Sequence, residues 1–203
     1  MTLDRLRPYL SGVLDPFVVG FDRLGFTPNG VSVLAFVMAV AAAVAFTLGG
    51  TADRFWYGVA AVFVLANGWL DVVDGALARR QGVDSRAGDL LDHVLDRYAD
   101  VVIIGGIAAG VGEYLLGFLA VTGVLLTSYL GTQAQAVDLD RVYGGLVGRA
   151  DRLAIIGFVG FLSAVVSTTY AGYDLLGWLL IFLAVVGHFT AVQRFVSAWR
   201  QLE

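Results

Sequence analysis

Long apolar blocks separated by short polar intervals dominate this chain, at residues 30–48, 55–79, 89–111, 114–137, 152–170 and 175–199. Each block is close to the ~20 residues that cross a hydrocarbon core, so the pattern predicts six transmembrane helices. Residues 1–26 differ, because Leu, Val and Phe alternate there with Asp4, Arg5, Arg7, Asp15, Asp22 and Arg23. That mixture predicts an amphipathic helix lying in the membrane interface, broken or kinked at Pro8 and Pro16. Thr27, Pro28 and Asn29 supply a start signal for the first span. The expected fold is therefore an all-α integral membrane protein, with six transmembrane helices preceded by an N-terminal amphipathic interfacial helix. No polar linker interrupts the pattern, so one membrane domain is expected over residues 1–203, divided into the interfacial helix (1–26) and the six-helix bundle (27–203).

Composition agrees with a polytopic membrane protein: 58% of residues are hydrophobic and 15% charged, and the mean hydropathy is +0.79. Without cysteine, neither disulfides nor thiolate metal sites are available. No cleavable signal peptide is expected, since residues 1–25 carry charges throughout. All 13 basic residues are arginine, and of these only Arg54 falls in the loops on one side. The positive-inside bias then predicts a cell-membrane protein whose termini and residues 71–96 face the cytoplasm. A net charge of −4 gives no support for nucleic-acid binding. Glycine is abundant, and Gly105, Gly106 and Gly110 on the third span are expected to permit close helix packing.

The stretch 71–96, DVVDGALARRQGVDSRAGDLLDHVLD, stands out against this background. On a helix, Asp71 and Asp74 (i, i+3) share a face with Gly75, and Asp92 and Asp96 (i, i+4) share a face on the next one. The eight residues between, 80–87, include Gly82, Asp84 and Ser85 and have turn chemistry. A helix, a tight turn and an antiparallel helix would bring the two carboxylate pairs face to face. Such a group is tolerable only if protonated or neutralised by cations. Oxygen ligands favour Mg²⁺, Mn²⁺ or Ca²⁺, and a paired-metal site is the natural reading. Asn67, one turn before Asp71, faces either the same cavity or a neighbouring helix. Asp89 reads as helix N-terminal charge, and Asp100 stands outside the pattern. His93 and His188 read as packed or interfacial residues rather than ligands.

The stretch resembles the signature of the CDP-alcohol phosphotransferase (CDP-alcohol phosphatidyltransferase) family, D-x2-D-G-x2-A-R-x8-G-x3-D-x3-D. Asp71, Asp74, Gly75, Ala78, Arg79, Gly88, Asp92 and Asp96 match every fixed position. The resemblance implies a phospholipid headgroup synthase, in which an alcohol hydroxyl displaces CMP from a CDP-linked lipid. It implies two divalent cations, Mg²⁺ or Mn²⁺, one held by Asp71, Asp74 and Asp92 and the other by Asp71, Asp92 and Asp96. It also implies that Asp96 is the general base. The CDP-lipid would then be held by Asn29, Asp71, Gly75, Ala78, Arg79, Ser85 and Gly88, with Gly75 and Ala78 leaving room for the nucleotide and Arg79 pairing with the diphosphate. Members of the family are commonly homodimers, and a homodimer in the lipid bilayer is the expectation here.

The acceptor is less legible. Family members that use phosphorylated acceptors carry Ser-Tyr-x-Lys-Ala-Arg-Ala-Glu followed by Gly-x-x-x-Arg-x-Glu-Arg. Here residues 128–135 read SYLGTQAQ, keeping Ser128 and Tyr129 but lacking the Lys, Arg and Glu, and residues 145–152 read GLVGRADR. The resemblance assigns acceptor binding to Tyr129, Gln133, Arg149 and Arg152, with Arg141 and Arg194 as further candidates. A phosphorylated polyol, glycerol phosphate or inositol phosphate, is the expected acceptor; serine or inositol is the alternative. A divalent-cation transporter would also use clustered carboxylates, but its site would lie near mid-membrane rather than at helix ends. A non-catalytic scaffold would have no need of the intact aspartate quartet.

Overall fold

The computed structural model describes residues 7–83, 85–139 and 147–203. Seven α-helices account for nearly all of them: α1 (Arg7–Arg23), α2 (Pro28–Thr51), α3 (Phe55–Gln81), α4 (Arg86–Val111), α5 (Tyr114–Gln133), α6 (Arg149–Val165) and α7 (Leu175–Leu202). One 3₁₀ turn, Gln135–Val137, follows α5. By length and composition four segments can cross a membrane, namely α2, α3, Tyr114–Val137 and α7. The six expected from the sequence are thus reduced by two on this criterion. The stretch 89–100 of α4 carries Asp89, Asp92, Asp96, Arg97 and Asp100, and α6 is only 17 residues long.

Local chemistry explains the boundaries. Thr27 caps α2, its Oγ1 accepting from the Gly30 amide at 3.1 Å, with Pro28 in the first turn where no amide partner is needed. Pro8 is tolerated in α1 for the same reason, and the helix continues through Pro16 instead of breaking. Gly82 ends α3 in the left-handed region at φ 64°, where a side chain would be strained. Ser85 then caps α4, its Oγ accepting from the Gly88 amide at 3.1 Å. The expected eight-residue turn shrinks accordingly, and Gly88 lies in the first turn of α4. Asp84, in this turn, lies outside the described residues.

Two apolar clusters organise the molecule. The larger joins α2–α7 around Phe46, Ile103, Ile104, Ile107, Ile156 and Leu180. The smaller sets Leu14 and Val18 of α1 against Val31, Ala35, Leu70, Val73 and Leu77 of α2 and α3. α1 is also tethered to the end of α3, where Arg80 Nε and Gln81 Nε2 each donate to Asp22 at 2.9 Å. Those hydrogen bonds hold the Asp22 carboxyl below its ordinary value. A lowered folded value means that the tether is present above the usual carboxylate range and is lost only as pH falls through the lowered one.

α2 pairs with both α3 and α4, α5 with α7, and α3 with α6. The α2–α4 crossing is made at backbone contact. A Cβ on Gly50 would collide with the Gly110 carbonyl, one on Gly106 with the Ala43 backbone, and one on Gly110 with the Phe46 carbonyl. Of the three glycines singled out on this helix, Gly106 and Gly110 serve the crossing, whereas Gly105 faces open space. Gly106→Val is therefore expected to destabilise the protein by roughly 1–3 kcal/mol, read as a lower thermal midpoint in detergent. Gly105→Ala should leave the midpoint unchanged or slightly raised.

Candidate functional site

The C-terminal half of α3, the N-terminal half of α4, and the first turns of α2 and α6 meet at one end of the bundle. There Ser32, Asn67, Asp71, Asp74, Asp92, Asp96 and Arg149 line a cleft with the apolar Ala35, Phe36, Leu95 and Ala99. Asp71, Asp92 and Asp96 each offer a carboxylate oxygen, all within 4.8 Å of one another. Helical spacing produces this arrangement directly, since each pair lies on a single face and the short turn sets the two faces opposite each other.

The fourth carboxylate is held differently. Asp74 is buried, and its Oδ2 accepts from Ser32 Oγ at 2.6 Å. Ser32 went unnoticed in the sequence; its place four residues after Pro28, one turn into the first span, was the available signal. Asn67, fully buried, donates from Nδ2 to the Ala35 carbonyl at 2.9 Å and so bridges α3 to α2. Its Oδ1 faces Arg149 Nη2 at 3.5 Å.

Arg149 enters the cluster from the first residue of α6. Its Nη1 lies 2.8 Å from Asp71 Oδ1 and its Nη2 2.7 Å from Asp96 Oδ1. Four carboxylates against one intimate guanidinium leave an excess of negative charge in an apolar bundle, which calls for cations. An all-oxygen donor set of this kind fits a hard divalent ion such as Mg²⁺ or Mn²⁺.

A second ionic layer lies one helical turn deeper. Arg152 Nη2 pairs with Asp100 Oδ2 at 2.6 Å, both side chains being buried, and Arg97 Nε approaches the same oxygen at 3.7 Å. Asp100 was set aside in the sequence for lying outside the motif, yet it continues the Asp92, Asp96 face at i+4. Nearby, Arg194 Nη1 donates to the Thr127 carbonyl at 2.6 Å, tying α7 to α5.

The other expected site residues are distributed as follows. Asn29 Oδ1 lies beside Gly88, where an added Cβ would sit 3.4 Å from it, so the first turns of α2 and α4 are neighbours. Gly75, Ala78 and the exposed Arg79 continue the Asp71 helix toward its end, and exposed Ser85 caps α4. Tyr129 and Gln133 occupy exposed positions on α5 and do not line the acidic cleft. Neither His93 nor His188 lines it. Arg141 and Gly145 lie outside the described residues.

Comparison with known proteins converges on one family. The family model for CDP-alcohol phosphatidyltransferase matches residues 26–190. The chain is similar to the archaetidylinositol phosphate synthase of Methanothermobacter thermautotrophicus, 32% identical with 99% of this chain and 96% of the relative covered. It is also similar to the crystal structure of Mycobacterium tuberculosis phosphatidylinositol phosphate synthase in complex with manganese and citrate, with a TM-score of 0.77, 27% identity, and 92% of this chain and 88% of that one covered. The same enzyme with CDP-DAG bound gives a TM-score of 0.76 at 27% identity, covering 92% and 94%.

Two outcomes are expected from this geometry. Asp92→Asn and Asp96→Asn should each weaken Mn²⁺ binding, measured by electron paramagnetic resonance of the free ion, by more than about tenfold, while the exposed Asp89→Asn should not. Asp100→Ala strands the Arg152 guanidinium and should cost about 3–5 kcal/mol of stability in a denaturation series. The double variant Asp100→Leu/Arg152→Met should recover most of that loss.

Proposed function

The chain belongs to the CDP-alcohol phosphatidyltransferase family, and from that premise we propose that it is the member that joins a CDP-linked lipid to inositol phosphate, releasing CMP. The protein is an integral membrane, divalent-cation-dependent transferase of phospholipid biosynthesis. The observation that carries the reading is the convergence of Asp71, Asp92 and Asp96 within 4.8 Å beside Arg149. The near full-length likeness to an archaetidylinositol phosphate synthase supports inositol phosphate as the acceptor.

Asp71, Asp74, Asp92 and Asp96 would hold the cations, which when bound neutralise the diphosphate and align the reacting groups. Asp96 acts as general base and takes the proton of the acceptor hydroxyl. That oxygen bonds to the lipid-bearing phosphorus, the bond from this phosphorus to the bridging oxygen breaks, and CMP leaves with the electron pair. The donor lies along Asn29, Asp71, Gly75, Ala78, Arg79, Ser85 and Gly88. The acceptor phosphate is drawn by Arg149 and Arg152, with Tyr129 and Gln133 at the outer edge of its path.

The whole chain, 1–203, is one membrane domain in this reading. α4 and α6 join the four apolar segments as spans, because α4 pairs with α2 and α6 with α3 inside the bundle. At 17 residues α6 extends about 26 Å, short but close to hydrocarbon thickness. Exposed aromatic residues at the far end, Phe55, Trp56, Tyr114, Tyr170 and Trp178, fit one interfacial belt. α1 lies along the opposite interface. Arginine placement puts the acidic cleft and both termini in the cytoplasm, and the assembly is a homodimer.

Purified protein supplied with Mn²⁺ and either CDP-archaeol or CDP-diacylglycerol should release CMP fastest with inositol phosphate. Faster release with serine, inositol or glycerol phosphate would overturn the acceptor assignment. Asp96→Asn should reduce turnover by at least about a hundredfold while the protein still folds, read as a retained cooperative thermal transition.

A further inference from the structure

Resting on the metal-binding reading of the acidic cleft, we propose that Arg149 is a built-in counter-cation. It competes with divalent cations for the oxygens of Asp71 and Asp96, and its release on metal loading makes its guanidinium available to the anionic acceptor. Arg149 and a cation bridging these carboxylates would draw on the same two acids, and the second Asp96 oxygen already faces Arg97 Nη2 at 3.6 Å. Both terminal nitrogens of Arg149 are committed, at 2.8 Å to Asp71 Oδ1 and 2.7 Å to Asp96 Oδ1. With the guanidinium in place, the cleft offers only about 10 Å³, room for a single water. A hydrated cation or a diphosphate enters only if it withdraws. The proposed base faces the same limit, since an Asp96 oxygen that accepts from Arg149 is engaged before any acceptor hydroxyl arrives.

Arg149 is held by these two ion pairs and a long contact, 3.5 Å, from Nη2 to Asn67 Oδ1. Its Nε is buried without a hydrogen-bond partner, so the edge of the guanidinium that best matches a phosphate is left unsatisfied. Arg152, three residues further along α6, shares a buried, unpartnered Nε but is paired at 2.6 Å with Asp100, which is not one of the acids that converge for a cation. Metal loading therefore acts on one of these two arginines and spares the other. The consequence is an order of events: cations first, then the phosphorylated acceptor.

The test uses the full chain in detergent, with Mn²⁺ binding followed by electron paramagnetic resonance and arginine reactivity by phenylglyoxal labelling and mass spectrometry. Arg149→Gln should bind Mn²⁺ roughly tenfold more tightly than wild type. Arg149→Lys keeps the charge but cannot bridge two carboxylates with a rigid fork, and it too should bind more tightly. In wild type, Mn²⁺ should raise labelling of Arg149 several-fold while Arg152 stays protected. Inorganic phosphate should then shield Arg149 only in the Mn²⁺-loaded protein. Mn²⁺ binding with unchanged Arg149 labelling, or Arg149→Lys indistinguishable from wild type, would overturn the inference alone. Absence of Mn²⁺ binding in both wild type and Arg149→Gln would overturn the metal reading beneath it.

Discussion

Five carboxylates, Asp71, Asp74, Asp92, Asp96 and Asp100, crowd one end of an apolar helical bundle, and most of the structure there answers the demand their charge makes. Asp74 is supported by Ser32, Asp71 and Asp96 by Arg149, and Asp100 by Arg152. Each partner comes from a different helix than the acid it serves, so the ionic layer also joins α2, α3, α4 and α6. Removal of one partner from such a layer leaves a buried charge, which is more damaging than replacement of both. The site and the fold are therefore stabilised by the same contacts.

The acids can converge only if their helices are brought close. The glycines at the α2–α4 crossing let the two backbones touch, while Asn67 fixes α3 to α2 through the Ala35 carbonyl. Gly82 and Ser85 turn the chain within a few residues between α3 and α4. The opposite end of the bundle uses other devices. Arg54 donates to the Ser163 and Val166 carbonyls and caps α6, and Asp174 caps α7 by accepting from the Gly177 amide at 2.8 Å. Ion chemistry is concentrated at one end, and ordinary capping closes the other.

Much of this was legible before any coordinates. Apolar block lengths located the helices to within a few residues, and the i, i+3 and i, i+4 spacing of Asp71, Asp74, Asp92 and Asp96 foretold a shared cleft, because helical periodicity is a local property. Errors arose where tertiary context overrode local signals. Pro16 was expected to break or kink α1, and the helix is carried through it. Arg149, outside the expected span, and Arg152, its first residue, both lie in the first turn of α6, one reaching Asp71 and Asp96 and the other Asp100.

Hydrophobic block length and side-chain periodicity depend only on neighbours along the chain, so they suffice to specify a helical membrane chain with carboxylates paired on adjacent helix faces. Which arginines meet those acids depends on how distant helices pack. Asp71 and Arg149 are 78 positions apart, and no local pattern encodes that their helices cross at this point; packing of α6 on α3 brings the guanidinium there.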